Sequence, residues 1–246
     1  PISPFSRAVL TLVGIALFAG FFSLGTWQVQ RRAWKLELMA RVDQRVHSQP
    51  VALPAVAQWP QVDAAGYEYL PVQARGQWRY DKTVLAQALT EDGSGFWVMT
   101  PLQTADGVSV LVNRGFIPGE QRRLWSPGGL ELQREVAGSS GQAEAVVTGL
   151  LRITEPGGGF LRSNAPEEGR WHSRDVAAMA AALQLPQAAP FFVDAGLPGQ
   201  AQTPAMGQPK AGLTVIRFHN SHLVYALTWY GLAALVVFAA AMVVRS

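Results

Sequence analysis

The sequence predicts a membrane protein of the α+β class, in which two transmembrane helices at the chain ends flank a β-rich extramembrane domain with a short helix. Residues 8–30 and 223–244 contain no charged side chain, and each run exceeds the roughly 20 apolar residues that cross a bilayer. Between the runs, short stretches rich in Val, Leu, Trp and Tyr alternate with turn sequences, the pattern of a β-rich domain.

The composition excludes several classes of protein. All 17 acidic residues and all but two of the 20 basic residues lie between the apolar runs, so the pI near 9.5 does not reflect a concentrated basic surface. Nucleic-acid binding needs such a surface and is therefore excluded. The absence of cysteine excludes disulfides, zinc–thiolate and iron–sulfur sites, and cysteine nucleophiles.

The first element is a transmembrane helix over residues 8–30. Arg7 precedes the apolar run, so a cleaved signal peptide is the alternative. The apolar part of a signal peptide usually has about 7–15 residues, whereas this run continues to Trp27 and is followed by Arg31. A retained helix is favoured, and residues 31–47 are expected to continue it into water.

The next elements are the strands of the middle domain, which we place at residues 31–219. We expect strands at 72–78, 83–89, 97–102, 108–113, 145–153 and 191–193. The sequence from Thr104 to Gly107 lies between two apolar runs and predicts a hairpin turn. The segments 119–144 and 195–212 are rich in Gly, Pro, Ser and Gln and predict loops.

One short helix is expected after Trp171. Ser173 or Asp175 could cap its first turn, and apolar residues follow at helical spacing, starting with Val176 and Met179. His172 stands just before this helix, and a structural role is favoured over contact with a partner. His47 lies in a polar stretch and is expected to be exposed to solvent.

The last element is a second transmembrane helix, placed at residues 220–244. Two spans put both termini on one side of the membrane and the domain on the other. Arg31 and its basic neighbours outnumber Arg7, which by the positive-inside rule would put the domain in the cytoplasm. Because that rule weakens for loops longer than about 60 residues, charge leaves the orientation open.

No motif in the sequence predicts an enzyme. The chain has no G-x-S-x-G elbow, H-E-x-x-H pair, phosphate-binding loop or dinucleotide fingerprint. Candidate functional residues lie instead at the start of the second span, where His222, Tyr225 and Trp229 are spaced to share a helix face. A neutral imidazole beside aromatic rings suits a haem, with His222 as the iron ligand. Spacing alone favours a simpler interpretation, a helix cap followed by an interfacial aromatic belt.

The end of the first span offers a matching set, because Trp27, Arg31 and Trp34 follow one another at helical spacing. Arg31 or Lys35 could pair with acidic groups of a ligand or with lipid phosphate, and contact with lipid headgroups is the simpler alternative. In the domain, Arg114 ends a predicted strand; we expect it to tie down a turn, with binding of a partner carboxylate or a haem propionate as the alternative.

Four sequence blocks, in the same order across nearly the whole chain, resemble the Surfeit-locus family of cytochrome c oxidase assembly proteins. They are Leu24-Gly25-x-Trp27-Gln28-x-x-Arg31-x-x-Trp34-Lys35; Val98-x-x-Pro101-Leu102 with Leu111 to Pro118; Gly149-x-Leu151-Arg152 with Asn164-x-Pro166, Trp171, Arg174-Asp175 and Phe192 to Ala195; and Asn220-x-His222-Leu223-x-Tyr225-Ala226-x-Thr228-Trp229-Tyr230-Gly231.

The resemblance implies a non-enzymatic assembly factor for haem–copper cytochrome c oxidase in the bacterial inner membrane, with both termini cytoplasmic and the domain periplasmic. It implies haem A as cofactor, bound through His222, and oxidase subunit I as partner, with haem A synthase a further candidate. His219 has no clear counterpart and is a candidate secondary ligand. The alternative is a cofactor-free scaffold or accessory subunit that stabilises an oxidase assembly intermediate.

Overall fold

The computed structural model describes residues 4–126, 144–159, 162–199, 204–205, 207–214 and 221–245. These residues form two compact units. One unit comprises residues 4–43 and 221–245 and consists of two helices. The other comprises residues 44–214 and is the β-rich domain. The order of these parts along the chain agrees with the expected organisation, whereas the boundaries 8–30, 31–219 and 220–244 stay predictions.

Helix α1 runs from Pro4 to Val46, and the last helix, α4, from His222 to Arg245. Both are long and apolar enough to cross a membrane, and few residues of their apolar windows are buried. This exposure is unlike a core helix of a soluble protein, which packs on most sides. The expected continuation of the first helix through residues 31–47 is confirmed to Val46.

Among its described residues the domain contains seven strands and two short α-helices. The strands are β1 (Val51–Ala52), β2 (Pro71–Trp78), β3 (Val84–Thr90), β4 (Gly93–Gln103), β5 (Ser109–Pro118), β6 (Ala145–Ile153) and β7 (Ala188–Ala195). The helices are α2 (Ala64–Tyr67) and α3 (Val176–Ala182), and 3-10 turns cover Val56–Gln61, Tyr80–Lys82, Gly119–Trp125 and Pro166–Glu168.

The strands form one sheet in the order β1-β2-β6-β7-β5-β4-β3, and an additional pairing joins β2 to β4. This pairing closes β2, β6, β7, β5 and β4 into a small barrel. Most neighbouring strands are antiparallel, while β5 and β7 are parallel and so are β1 and β2. The parallel pair β5–β7 places Asn113 opposite Asp194, which matters for the polar cluster described below.

The core follows the two-residue period of the strands. Val110 and Val112 of β5 belong to one buried cluster, together with Phe191 and Val193 of β7. The residues between them, Leu111 and Phe192, turn to the opposite face. There they pack against Trp171 and against Val176 and Met179 of α3. The short helix therefore covers the second face of the sheet.

The sequence predicted most of these elements. Each of the six predicted strands has a counterpart, the turn between Thr104 and Gly107 is confirmed, and β6 has the predicted bounds. Asp175 caps α3 by accepting a hydrogen bond from the Ala178 N–H, which selects it over Ser173. The short strand β1 and the 3-10 turn in the predicted loop 119–144 were not expected; residues 127–143 lie outside the described residues.

The prediction that Arg114 enters a turn was wrong, because β5 continues to Pro118. Trp97 pairs with Phe116 and Met99 with Asn113, so that Arg114 and Gly115 both lie opposite Val98 in a β-bulge. Gly115 has φ +129° and packs directly against the Lys210 carbonyl. A Cβ atom at this position would clash with that carbonyl. An isolated glycine within a strand pattern indicates such a bulge.

Candidate functional site

The two long helices contact each other along one stripe of small and polar residues. On α4 the buried positions include Ala226 and Ala233, which lie on the same side as His222 because a helix turns about 100° per residue. On the apolar part of α1, Gly25 and Gln28 are buried. Small residues let two helices approach closely, and polar side chains can then bond across the contact.

His222, the first residue of α4, is half-buried and bonds to α1. Its Nδ1 atom lies 2.7 Å from Oε1 of Gln28, and only 9% of Gln28 is exposed. In apolar surroundings an unpaired amide is costly, so this bond satisfies Gln28 and orients the His222 ring. Residues 215–220, which include His219 and Asn220, lie outside the described residues.

Aromatic rings pack beside this hydrogen bond. Trp229 stacks on Phe21 with ring centroids 5.8 Å apart and planes at 23°. The Tyr230 ring lies against Phe22 with a centroid distance of 5.5 Å. Its hydroxyl is 3.1 Å from the Thr26 hydroxyl. The helix pair is thus held by ring contacts and by hydrogen bonds at two levels.

The other predicted site residues lie away from this contact stripe. Tyr225 and Trp27 are each 53% exposed. Around the helix axis, Tyr225 lies about 100° from the buried Ala226, and Trp27 lies about 100° from the buried Gln28. Arg31 is also exposed, and its guanidinium lies 4.2 Å from the centre of the Trp34 ring. The helix pair therefore brings His222 and Trp229 onto α1, while Tyr225, Trp27 and Arg31 remain on the exposed surface.

Gln28 and Phe21 were not predicted as partners of His222 and Trp229. Phe21 carries no signal, since aromatic residues are common in an apolar span. Gln28 carries one, because it is a polar side chain close to the end of an apolar run, and such side chains often bond to a neighbouring helix.

The domain has a polar cluster of its own, centred on the Asp194 carboxylate, which is 4% exposed. Asp194 accepts hydrogen bonds from Asn113, Arg152, Arg174 and Thr214, at 2.7 to 3.0 Å. Glu68 pairs with Arg152 at 2.7 Å, and Glu155 with Arg174. Burial lowers the pKa of Arg152, but the carboxylates of Asp194 and Glu68 raise it more, so the net shift is upward.

A cavity of about 300 Å³ lies beside this cluster. Its lining includes Trp97, Arg152, Arg174 and Asp194, together with Lys210, which pairs with Asp92 at 2.8 Å. The charges on this lining are already matched to one another. The cluster and its cavity were not predicted from the sequence, since they depend on the pairing of β5, β6 and β7.

Arg114 is held by aromatic rings. The centre of its guanidinium lies 5.1 Å from the Trp78 ring, 5.2 Å from the Tyr80 ring and 4.8 Å from the Trp125 ring. Its Nη1 atom is buried without a hydrogen-bond partner. Burial lowers the pKa of Arg114. The faces of the three rings attract the cation and partly offset the cost of its burial. Binding of a partner carboxylate or a propionate by Arg114 stays a prediction.

The two remaining histidines lie in the domain. His172 is half-buried, with Nδ1 2.8 Å from Oε1 of Gln87, which agrees with the predicted structural role. His47 is exposed, as expected. Among the described residues there is no group of three or more His, Asp or Glu side chains arranged to hold a metal ion.

Comparison with known proteins identifies the family. The model of the SURF1 family matches residues 15–234, which include most of the first long helix, the whole domain and the first half of the last helix. The chain belongs to the SURF1 family. The Surfeit locus protein 1 of Homo sapiens is 36% identical over 94% of this chain and 74% of its own length. That of Mus musculus is 37% identical over 87% of this chain and 68% of its own.

The similarity extends to distant eukaryotes. The SURF1-like protein of Dictyostelium discoideum is 29% identical over 88% of this chain and 89% of its own length. The matched region of this SURF1 family member includes Gln28 and His222.

Proposed function

We propose that this chain is an assembly factor for haem–copper cytochrome c oxidase, which binds haem A at the membrane interface and assists its insertion into subunit I. Membership in the SURF1 family supports the assembly role. The observation that supports haem binding is the His222 imidazole at the start of an apolar helix, bonded through Nδ1 to Gln28. That bond leaves the second ring nitrogen, Nε2, for an iron.

The residues of the helix pair fit a haem in their chemistry. His222 supplies an imidazole, the commonest protein ligand of haem iron. The exposed rings of Tyr225 and Trp27, together with Trp229, supply aromatic surface for a porphyrin. The exposed guanidinium of Arg31 suits a propionate. When bound, haem A supplies the iron and the porphyrin that the oxidase requires; this chain only holds and presents them, which makes it a non-enzymatic carrier.

The proposed location is the bacterial inner membrane, with α1 and α4 crossing the bilayer, both termini cytoplasmic and the domain periplasmic. The length and apolar composition of the two helices support the membrane location. Subunit I is the proposed main partner, and haem A synthase is a further one because it is the source of the haem.

The test compares visible spectra of the full chain purified from cells that make haem A. Wild type is expected to show a haem spectrum, and His222→Ala to lose most of it. His172→Ala is the matched control, because His172 bonds to Gln87 within the domain, and it should load like wild type. Equal loading of wild type and His222→Ala would contradict His222 as the ligand.

A second candidate function is a cofactor-free scaffold or accessory subunit that stabilises an oxidase intermediate. The hydrogen bond between His222 and Gln28 favours it in one respect, since it already gives His222 a structural role. In that case the wild-type protein stays colourless where haem A is abundant, and its co-purification with the oxidase survives His222→Ala.

A further inference from the structure

Gln28 is the one buried polar residue among the described residues of the helix pair, and it bonds to His222. The side chain is 9% exposed and lies on α1, within the uncharged run before Arg31. A carboxamide in apolar surroundings is stable only when it is hydrogen-bonded. Its Oε1 atom lies 2.7 Å from Nδ1 of His222, a short distance for a neutral hydrogen bond.

The direction of this bond determines which ring nitrogen can bind a metal. The carbonyl oxygen of an amide only accepts hydrogen bonds. Nδ1 of His222 therefore carries the proton and donates the hydrogen bond to Gln28. In a neutral imidazole with the proton on Nδ1, the lone pair is on Nε2. Histidines that bind metals in proteins nearly always donate their other N–H to such an acceptor, which fixes the ring and increases its basicity.

We propose that Gln28 is a positioning residue for His222: its amide oxygen keeps the proton on Nδ1, fixes the ring at the start of α4 and presents Nε2 as the iron ligand. The proposal rests on the proposed function, since it assigns Gln28 a role in haem binding. It also makes a statement about the chain without haem, because the proton is on Nδ1 before any ligand arrives.

A second interhelical hydrogen bond provides the matched control. Thr26 and Tyr230 bond through their hydroxyls at 3.1 Å. Thr26 lies two residues before Gln28 on α1, and Tyr230 lies eight residues after His222 on α4. This bond joins the same two helices and contacts no histidine. Thr26→Val removes it with little change in volume, and so it measures what the loss of one interhelical hydrogen bond does to the helix pair.

The experiment uses the full chain with Gln28→Leu, Gln28→Glu and Thr26→Val, purified in detergent from cells that make haem A. We expect Gln28→Leu to weaken haem retention by about 10- to 100-fold, measured as transfer to excess apomyoglobin, and to raise the reduction midpoint potential because Nε2 becomes a weaker donor. Gln28→Glu keeps an acceptor, so it should retain haem with a lower midpoint potential. Thr26→Val should match wild type.

A second measurement tests the hydrogen bond without haem. Nitrogen-15 NMR of histidine-labelled chain, with His222→Ala to identify the signal, should show the proton on Nδ1 in wild type. In Gln28→Leu the proton should move toward Nε2. A wild-type ring protonated on Nε2 alone would overturn the proposal, whatever the haem measurements give.

The outcomes separate this inference from the function on which it rests. If wild type loads haem through His222 while Gln28→Leu matches it in retention and potential, Gln28 has no positioning role and the proposed function stands. Equal losses in Gln28→Leu and Thr26→Val would also overturn the proposal, since both would then reflect helix packing. A wild type that never takes up haem overturns the proposed function, and with it the haem-binding role of Gln28.

Discussion

Buried polar groups are arranged differently in the domain and in the helix pair. In the domain the Asp194 carboxylate accepts hydrogen bonds from four side chains, and each of its two arginines has a further carboxylate partner. In the helix pair the His222 imidazole bonds to Gln28 through one of its two nitrogens. The first arrangement satisfies Asp194 and both arginines with several partners each, whereas the second leaves Nε2 of His222 for the iron that we propose it binds.

The largest expected effect comes from opening the domain's saturated cluster with Asp194→Asn. The substitution keeps the volume but removes the charge that faces Arg152 and Arg174. We expect the free energy of unfolding to fall by about 3 kcal/mol, the lower end for breaking a buried ion pair, because Glu68 and Glu155 still serve one arginine each. Urea unfolding of the full chain in detergent, followed by near-ultraviolet circular dichroism, measures the change.

The control for this prediction is Asp81→Asn. Asp81 pairs with Arg79 on the surface, where both side chains are more than a third exposed, and such pairs contribute little. A change below about 0.5 kcal/mol is expected. If Asp194→Asn were equally harmless, the cluster would not be the stabilising centre of the domain.

The next largest loss of stability is expected for Gly25→Ala, which changes the contact between the two long helices. A Cβ atom at Gly25 would lie 2.7 Å from a ring carbon of Tyr230, so the ring must move away from Phe22 and Thr26. We expect a loss of about 1–3 kcal/mol, as for other overpacked contacts, measured by SDS unfolding in mixed micelles. Gly20→Ala is the control, because nothing lies within 4 Å of its added Cβ. Equal stability of the two variants would mean that the close approach at Gly25 is dispensable.

The smallest effect is expected from Arg114→Lys, which tests whether ring faces can replace carboxylates around a buried cation. A lysine keeps the charge but loses the planar stacking on Trp78, Tyr80 and Trp125, and we expect a loss of about 1 kcal/mol in urea unfolding. Arg122→Lys, where an exposed arginine lies over Phe96, should change stability by less than half as much. A larger loss of stability in Arg122→Lys than in Arg114→Lys would contradict the stabilising role of the three rings around Arg114.

Local patterns in the sequence were sufficient to predict the two long helices, α3 and six of the described strands, but not β1 or α2. The uncharged runs predicted both long helices, and the spacing of Val176 and Met179 predicted α3 with its Asp175 cap. The bulge at Gly115 was mistaken for a turn, because asparagine and glycine are common in both and only the pairing with β4 distinguishes them.

Contacts between distant residues were harder to predict. His222 and Trp229 contact the first helix, but their partners Gln28 and Phe21 were not predicted. The binding role of the candidate site residues stays a prediction. The Asp194 cluster joins residues 81 positions apart, and no motif in the sequence marks it. Such contacts depend on which strands and helices become neighbours, and that is decided by packing of the whole chain.

The length of α1 has a mechanical consequence. A single α-helix of 43 residues is about 65 Å long at 1.5 Å per residue, roughly twice the thickness of the bilayer's hydrocarbon core. The part after Arg31 carries charges of both signs, so in the membrane location that we propose it would project from the bilayer as a stiff rod. Such a rod acts as a lever: changing its tilt by about 10° within the bilayer displaces one end by roughly 11 Å relative to the other.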